Sequence, residues 1–224
     1  AGSAGYALFT VDSDGSVRRF DERLGEKGEV VHTFPGQMAR RMGIDGWLYI
    51  AVGDYGAIKA AGKDGGALQL HGGGVVRVRP DGTGLELVSR GQRNIYDVAV
   101  SPELDLFTRD NTNDGGGWDV RLSHVVMSGH YGYPSLFKNF AEEIIPPLAD
   151  YGGGSPCGSL FLDEPGFPPN FGTALYTCEW GRSAVYRHPL EREGASFKAS
   201  QESCVQIPRP TDMDVDGQSR LYIS

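Results

Sequence analysis

Apolar residues along this chain come in short runs, mostly β-branched or aromatic, and each run is cut by a DG, PDG or GG signal. Runs of that length with that punctuation predict strands joined by turns, an all-β fold. A 3.6-residue period is missing, and Lys138 to Ile145 is the only stretch with room for a helical turn or two.

The runs repeat. ARRMGIDGWLYIAVGD (39–54), RNIYDVAVSPELDLFTRD (93–110) and RPTDMDVDGQSRLYIS (209–224) each read as strand, Asp- or Pro-bearing turn, strand. ALFTVDSDGSVRRFD (7–21) and ALYTCEWGRSAVYRH (174–188) form a second pair, read as outer hairpins with polar tips. Leu8, Leu48, Phe107, Tyr176 and Leu221 then mark successive units whose shortest spacing matches a propeller blade of about 40 to 50 residues. Longer intervals imply insertions, expected at the polar loop after Phe107 and over 138–173. The expected fold is a β-propeller with about four blades in residues 1–224, a single domain incomplete at both ends. Exposed strand edges are avoided, so a longer chain or partner chains should cover those ends.

With 39% hydrophobic residues in 224, the chain can bury a sizeable core. Its net charge of -8, with no run of Lys or Arg, excludes a nucleic-acid-binding role. No apolar stretch reaches bilayer length, and AGSAGYALFT has neither region of a signal peptide, as expected for the mature form of an exported chain. Three cysteines leave one unpaired; Cys157 with Cys178 is the favoured disulfide, and three reduced buried thiols are the alternative.

The most distinctive stretch is RDNTNDGGGWDVRLSHVVMSGHYGYP (109–134), where Asp110, Asn111, Asn113 and Asp114 precede three glycines and Asp119. Carboxylates, amides and glycine-turned carbonyls are what a hard cation takes, so calcium is the first ligand to consider. The EF-hand pattern fails at Thr112 and at Arg121, where a bidentate Glu is required. Two alternatives stay open: a calcium loop of another type, and a solvated Asx-rich turn.

GDYG (53–56), GGGVVRVRPDGTG (72–84), GQRNIYDVAVSPELDLF (91–107), the acidic loop and GHYGYP (129–134) occur in an order that resembles the glucose/sorbosone dehydrogenase family. LADYGGGSPCG and ALYTCEWGRSAVYRHPL look like its sorbosone-dehydrogenase-like branch, found in exported bacterial proteins. The resemblance implies a six-bladed propeller using pyrroloquinoline quinone (PQQ) and calcium in the periplasm or outside the cell. It implies quinone contacts at Arg93 and Asn94, an orienting acid at Asp54, and calcium held around Asn113, Asp114, Asp119 and Tyr131. Arg182, in the tip EWGRS, is a further candidate for an anionic cofactor.

The family's catalytic His has no counterpart here. Its spacing from Asp54 lands on Pro35, with His32 nearby, and His71 before the glycine run is the candidate base, with His124 and His130 flanking the acidic loop. Two functions from different classes follow. One is a quinoprotein oxidoreductase acting on a sugar or related alcohol or aldehyde, passing electrons to a separate acceptor. The other is a non-catalytic propeller serving as a binding or scaffold subunit of an exported assembly. Hydrolytic calcium propellers of the lactonase type share the architecture.

Overall fold

The computed structural model describes residues 8–11, 16–20, 29–33, 38–54 and 58–224, with side chains from residue 40 onward. Pro35, Tyr55 and the His32 side chain lie outside the described set.

Nearly every element is a strand. The first sheet has three strands, Leu8–Val11, Ser16–Phe20 and Glu29–Thr33. The second runs Met38–Met42, Leu48–Val52, Gly73–Val78 and Glu86–Gln92, with Gly129–His130 added in parallel at its outer edge. The third is Val98–Val100, Leu106–Asn111, Val120–Val125 and Ala149–Asp150. The fourth is Pro156–Asp163, Thr173–Glu179, Ala184–His188 and Glu202–Gln206. A hairpin, Met213–Val215 with Leu221–Ile223, begins a fifth. The first strands of the second to fifth sheets touch in succession, so the sheets radiate from a common axis as propeller blades.

The strand–turn–strand repeats are the first two strands of the second, third and fifth sheets. Leu48, Phe107, Tyr176 and Leu221 all fall on second strands. The pair 7–21 and 174–188 does form hairpins. In the fourth sheet that hairpin is central rather than outer, because another strand flanks it on each side.

Of the expected insertion over 138–173, the part up to 148 belongs to an added segment and the remainder is ordinary blade structure. The whole stretch holds a single 3-10 turn at Ala141–Glu143, the two-residue last strand of the third sheet, and the first strand of the fourth. The added segments lie at 126–148, which lends its strand to the second sheet, and in the hairpins Ile58–Ala61/Ala67–Leu70 and Leu190–Glu193/Ser196–Ala199.

Alternation explains how one strand serves two cores. Leu48, Ile50 and Val52 enter one hydrophobic cluster, while Tyr49 and Ala51 enter the cluster shared with the third sheet. All five are buried, which is why LYIAV reads as a continuous apolar run. A polar staple ties three blades near the axis. Arg41 Nη2 donates to Asp97 Oδ2 and to the Ser159 carbonyl, both at 2.9 Å, and Ser159 N–H donates to the same carboxylate at 2.9 Å. The expected disulfide is absent: Cys157, Cys178 and Cys204 are free thiols in the fourth sheet's core, and burial pushes the Cys178 thiol up to about 12.

Candidate functional site

In a four-stranded antiparallel sheet the second and fourth strands run the same way, so the loops after them open on one rim. That rim receives Asp54, Arg93, Asn94, the 112–119 loop, the 151–155 loop and Arg182. His71 reaches it too, because it precedes a third strand, which starts there.

Three of the predicted residues converge. Arg93 Nε lies 3.3 Å from Asp54 Oδ2, and its Nη1 donates to the Asn111 carbonyl at 3.1 Å. Gly53 lies against Asn94, since a Cβ there would stand 2.9 Å from the Asn94 Oδ1. Their backbone is held by Asp110, whose buried carboxylate accepts N–H bonds from Arg93 (2.9 and 3.0 Å) and Asn94 (2.7 Å). Burial drives the Asp110 carboxyl above its ordinary range, and those N–H groups pull the other way. Burial acts to lower the Arg93 pKa, yet Tyr133, Asp54 and Asp114 hold it above its usual value. The guanidinium remains charged, partly exposed and 5.9 Å from the Tyr133 ring centroid.

Tyr133 also lines a cleft of ≈ 550 Å³ that contains His71, Arg90 and His130 over Leu70 and Leu87. His130 pairs with Arg90 across the parallel strands. Gly91, at φ +84, makes this close approach possible: a Cβ there would meet His130 Nδ1 at 2.8 Å and Gly132 N at 2.7 Å. His71 thus shares a wall with the Arg93 cluster, while His124 packs away from the rim on Phe107 and Phe197.

The acidic loop is built differently from the expected calcium site. The Asn113 amide exchanges two hydrogen bonds with Gly154, at 2.9 and 3.0 Å. Asp119 Oδ1 accepts the Gly115 N–H at 3.1 Å, and the Asp114 carbonyl accepts Lys138 Nζ at 2.8 Å. Thr112 donates to the Trp118 carbonyl. The Asn113 side chain, Asp119 Oδ1 and the Asp114 carbonyl thus have protein donors, one of them a cation, and as placed they are not turned toward a shared calcium. Among the described residues no group of three or more His, Cys, Asp or Glu is placed to hold a metal. Tyr131 lies apart from the loop: its hydroxyl donates to the His124 carbonyl (2.5 Å) and accepts the Val126 N–H (3.1 Å).

Arg182 is also engaged, donating to the carbonyls of Tyr151 (2.8 Å) and Gly153 (2.6 and 3.2 Å), so it braces the 151–154 loop rather than facing a ligand. Sequence reasoning missed Tyr133 and the bracing role of Asp110. GHYGYP offered two tyrosines, and nothing local separated the core one from the rim one. Asp110 was read as a metal oxygen because its N–H donors lie 16 and 17 residues away.

A carboxylate-held guanidinium beside an amide fits a ligand with paired carbonyl or carboxylate oxygens. The fold has solved counterparts. An aldose sugar dehydrogenase of Streptomyces coelicolor, in its PQQ-bound form, superposes with a TM-score of 0.68 at 17% identity, covering 97% of this chain and 68% of that one. A glucose dehydrogenase gives 0.68 at 18% identity, with 97% and 72% covered. An oxidoreductase of Thermus thermophilus, described as a glucose dehydrogenase, gives 0.67 at 20%, with 97% and 71% covered. Likeness at these identities shows the β-propeller fold alone. No curated protein matches the sequence significantly. A family model does, over residues 31–215: the chain belongs to DUF7133, a domain of unknown function.

Proposed function

We propose that this chain is a sugar-dehydrogenase-like oxidoreductase that uses PQQ, with its reactive centre at Asp54, Arg93 and Asn94. The observation that carries it is the charged, partly exposed Arg93 guanidinium, fixed by Asp54 and backed by Asp110, beside a cleft holding an exposed histidine. When bound, PQQ would accept the hydride from a sugar or related alcohol or aldehyde. Arg93 and Asn94 would grip its paired oxygens and stabilise negative charge there. Asp54 would keep the guanidinium aimed, and His71 would take the hydroxyl proton on an imidazole nitrogen. Calcium has no part in this scheme. Electrons would leave to a separate carrier, and export to the periplasm or medium fits the resemblance to exported sorbosone-dehydrogenase-like proteins.

One observation favours a second function, a non-catalytic binding or scaffold propeller: the loop where the family places its metal is closed by Lys138. A titration separates the two. Metal-stripped protein is titrated with PQQ, with and without calcium, and absorbance is followed as sugars and aldehydes are added. Saturable binding that ignores calcium, followed by substrate-driven bleaching, supports the dehydrogenase. A folded protein that binds no PQQ in either condition supports the scaffold.

A further inference from the structure

The cleft beside Arg93 differs in charge from the protein around it. Asp and Glu outnumber Lys and Arg by 29 to 21 in the chain, yet no carboxylate lines this cleft among the described residues. Its polar wall holds one cation, Arg90, and side chains that can donate, His71, His130, Gln69, Ser135 and Tyr133. The Arg90 side chain is exposed and has no ion pair or hydrogen bond among the described residues. His130 Nδ1 accepts the Gly132 N–H at 3.0 Å, so the neutral ring carries its proton on Nε2 as a further donor. Burial, then the Arg90 charge, keeps the His130 pKa below its ordinary value, as expected where a cationic pair lacks an anion. The cleft volume of ≈ 550 Å³ falls within the range of small-molecule sites.

We infer that this cleft is an anion subsite, with Arg90 and His130 as its principal donors. Resting on the dehydrogenase function proposed above, the substrate is then a sugar bearing an anionic oxygen group, carboxylate or phosphate, rather than a neutral sugar. Arg90 grips that group with its planar fork. His130 donates from Nε2, and His71 lies on the same wall. The anionic end sits in the cleft while the carbon to be oxidised reaches toward Arg93.

The test needs no turnover. Glucuronate, glucose 6-phosphate and glucose are titrated into the wild-type chain by calorimetry, with the imidazole resonances of His71 and His130 followed by NMR. At least one charged sugar binds roughly tenfold or more tightly than glucose, as a charge-assisted contact implies. The His130 titration moves to higher pH on binding, inorganic phosphate competes, and R90Q brings the charged sugars down to the level of glucose. H130N weakens them by a smaller factor, a check independent of the Arg90 variant. Equal affinity for all three sugars, or unchanged anion affinity in R90Q, overturns the subsite. Preference for glucuronate assigns a carboxylate ligand, and preference for glucose 6-phosphate a phosphate. PQQ binding is measured separately: its loss with anion preference intact defeats only the dehydrogenase, and the converse defeats only the subsite.

Discussion

Two junctions between blades use one device with different results. Where the second sheet hands over to the third, Asp110 at the end of a second strand accepts the backbone N–H groups of Arg93 and Asn94. Where the third hands over to the fourth, Glu179 occupies the same place in its blade and accepts the N–H of Ser155. In the first junction Arg93, on the loop that Asp110 holds, stays partly in solvent, while Arg121, paired across the strands with Asp110, is buried. In the second, Arg109 is sealed: its Nη2 lies 3.2 Å from Glu179 Oε2, both side chains fully buried, and its Nη1 donates to Thr177 Oγ1 at 2.8 Å. Thr177 donates its own proton to His188 Nε2 (2.9 Å), whose Nδ1 donates to the Ser200 carbonyl (3.2 Å). Both carboxylates therefore stand beside a buried arginine and hold the preceding loop, but only the loop held by Asp110 carries an exposed arginine at its anchored N–H groups, and that is where a ligand can act.

The largest expected effect lies at the sealed junction. Arg109→Met leaves the Glu179 carboxylate buried without its cation and costs ~3–5 kcal/mol in denaturant unfolding. The double variant with Glu179→Gln recovers much of that; a single variant as stable as wild type would show the two groups are not coupled.

Next comes the acid limb of stability. Burial, with the Arg109 charge, pushes the His188 pKa down to about 3, against about 6.5 for an unfolded chain. Its folded value is depressed, so its contribution is present above pH 6.5 and is lost as the unfolded state takes the proton on the way down to about 3. Between pH 7 and 4.5 this single group removes ~2–3 kcal/mol. The His188→Gln variant should show a correspondingly flatter pH dependence, and a slope equal to wild type would refute the assignment.

Asp110→Asn sharpens the comparison from the other junction. It sets an amide N–H₂ against backbone donors, costing ~1–3 kcal/mol, and amide exchange at Arg93 and Asn94 should accelerate. Arg93→Met has the smallest effect on folding, under about 1 kcal/mol for a partly exposed pair. It nonetheless weakens PQQ binding by ~tenfold or more. If stability fell while PQQ binding held, Arg93 would be structural like Arg109.

Much of the fold was legible from residues alone. The strand–turn–strand repeats and the markers Leu48, Phe107, Tyr176 and Leu221 landed on equivalent strands, because hydrophobic alternation and turn residues act within a few positions of each other. The two-residue strands Gly129–His130 and Ala149–Asp150 were not legible, since partners far along the chain create them. At the site, Asp54, Arg93 and Asn94 were found together as their motif order implied. Asn113, Asp119, Tyr131 and Arg182 were not, because each engages a donor or acceptor that composition cannot locate.

The sequence by itself determined the strands, the repeat and the chemical types available at the rim, all consequences of local backbone preference and the burial of apolar faces. Only the tertiary structure decided which arginine faces solvent and which acidic residue braces a neighbouring loop. It also decided that Lys138 Nζ reaches the Asp114 carbonyl of the acidic loop. Those outcomes depend on hydrogen bonds and desolvation between groups tens of residues apart, and a chain must fold before such groups can meet.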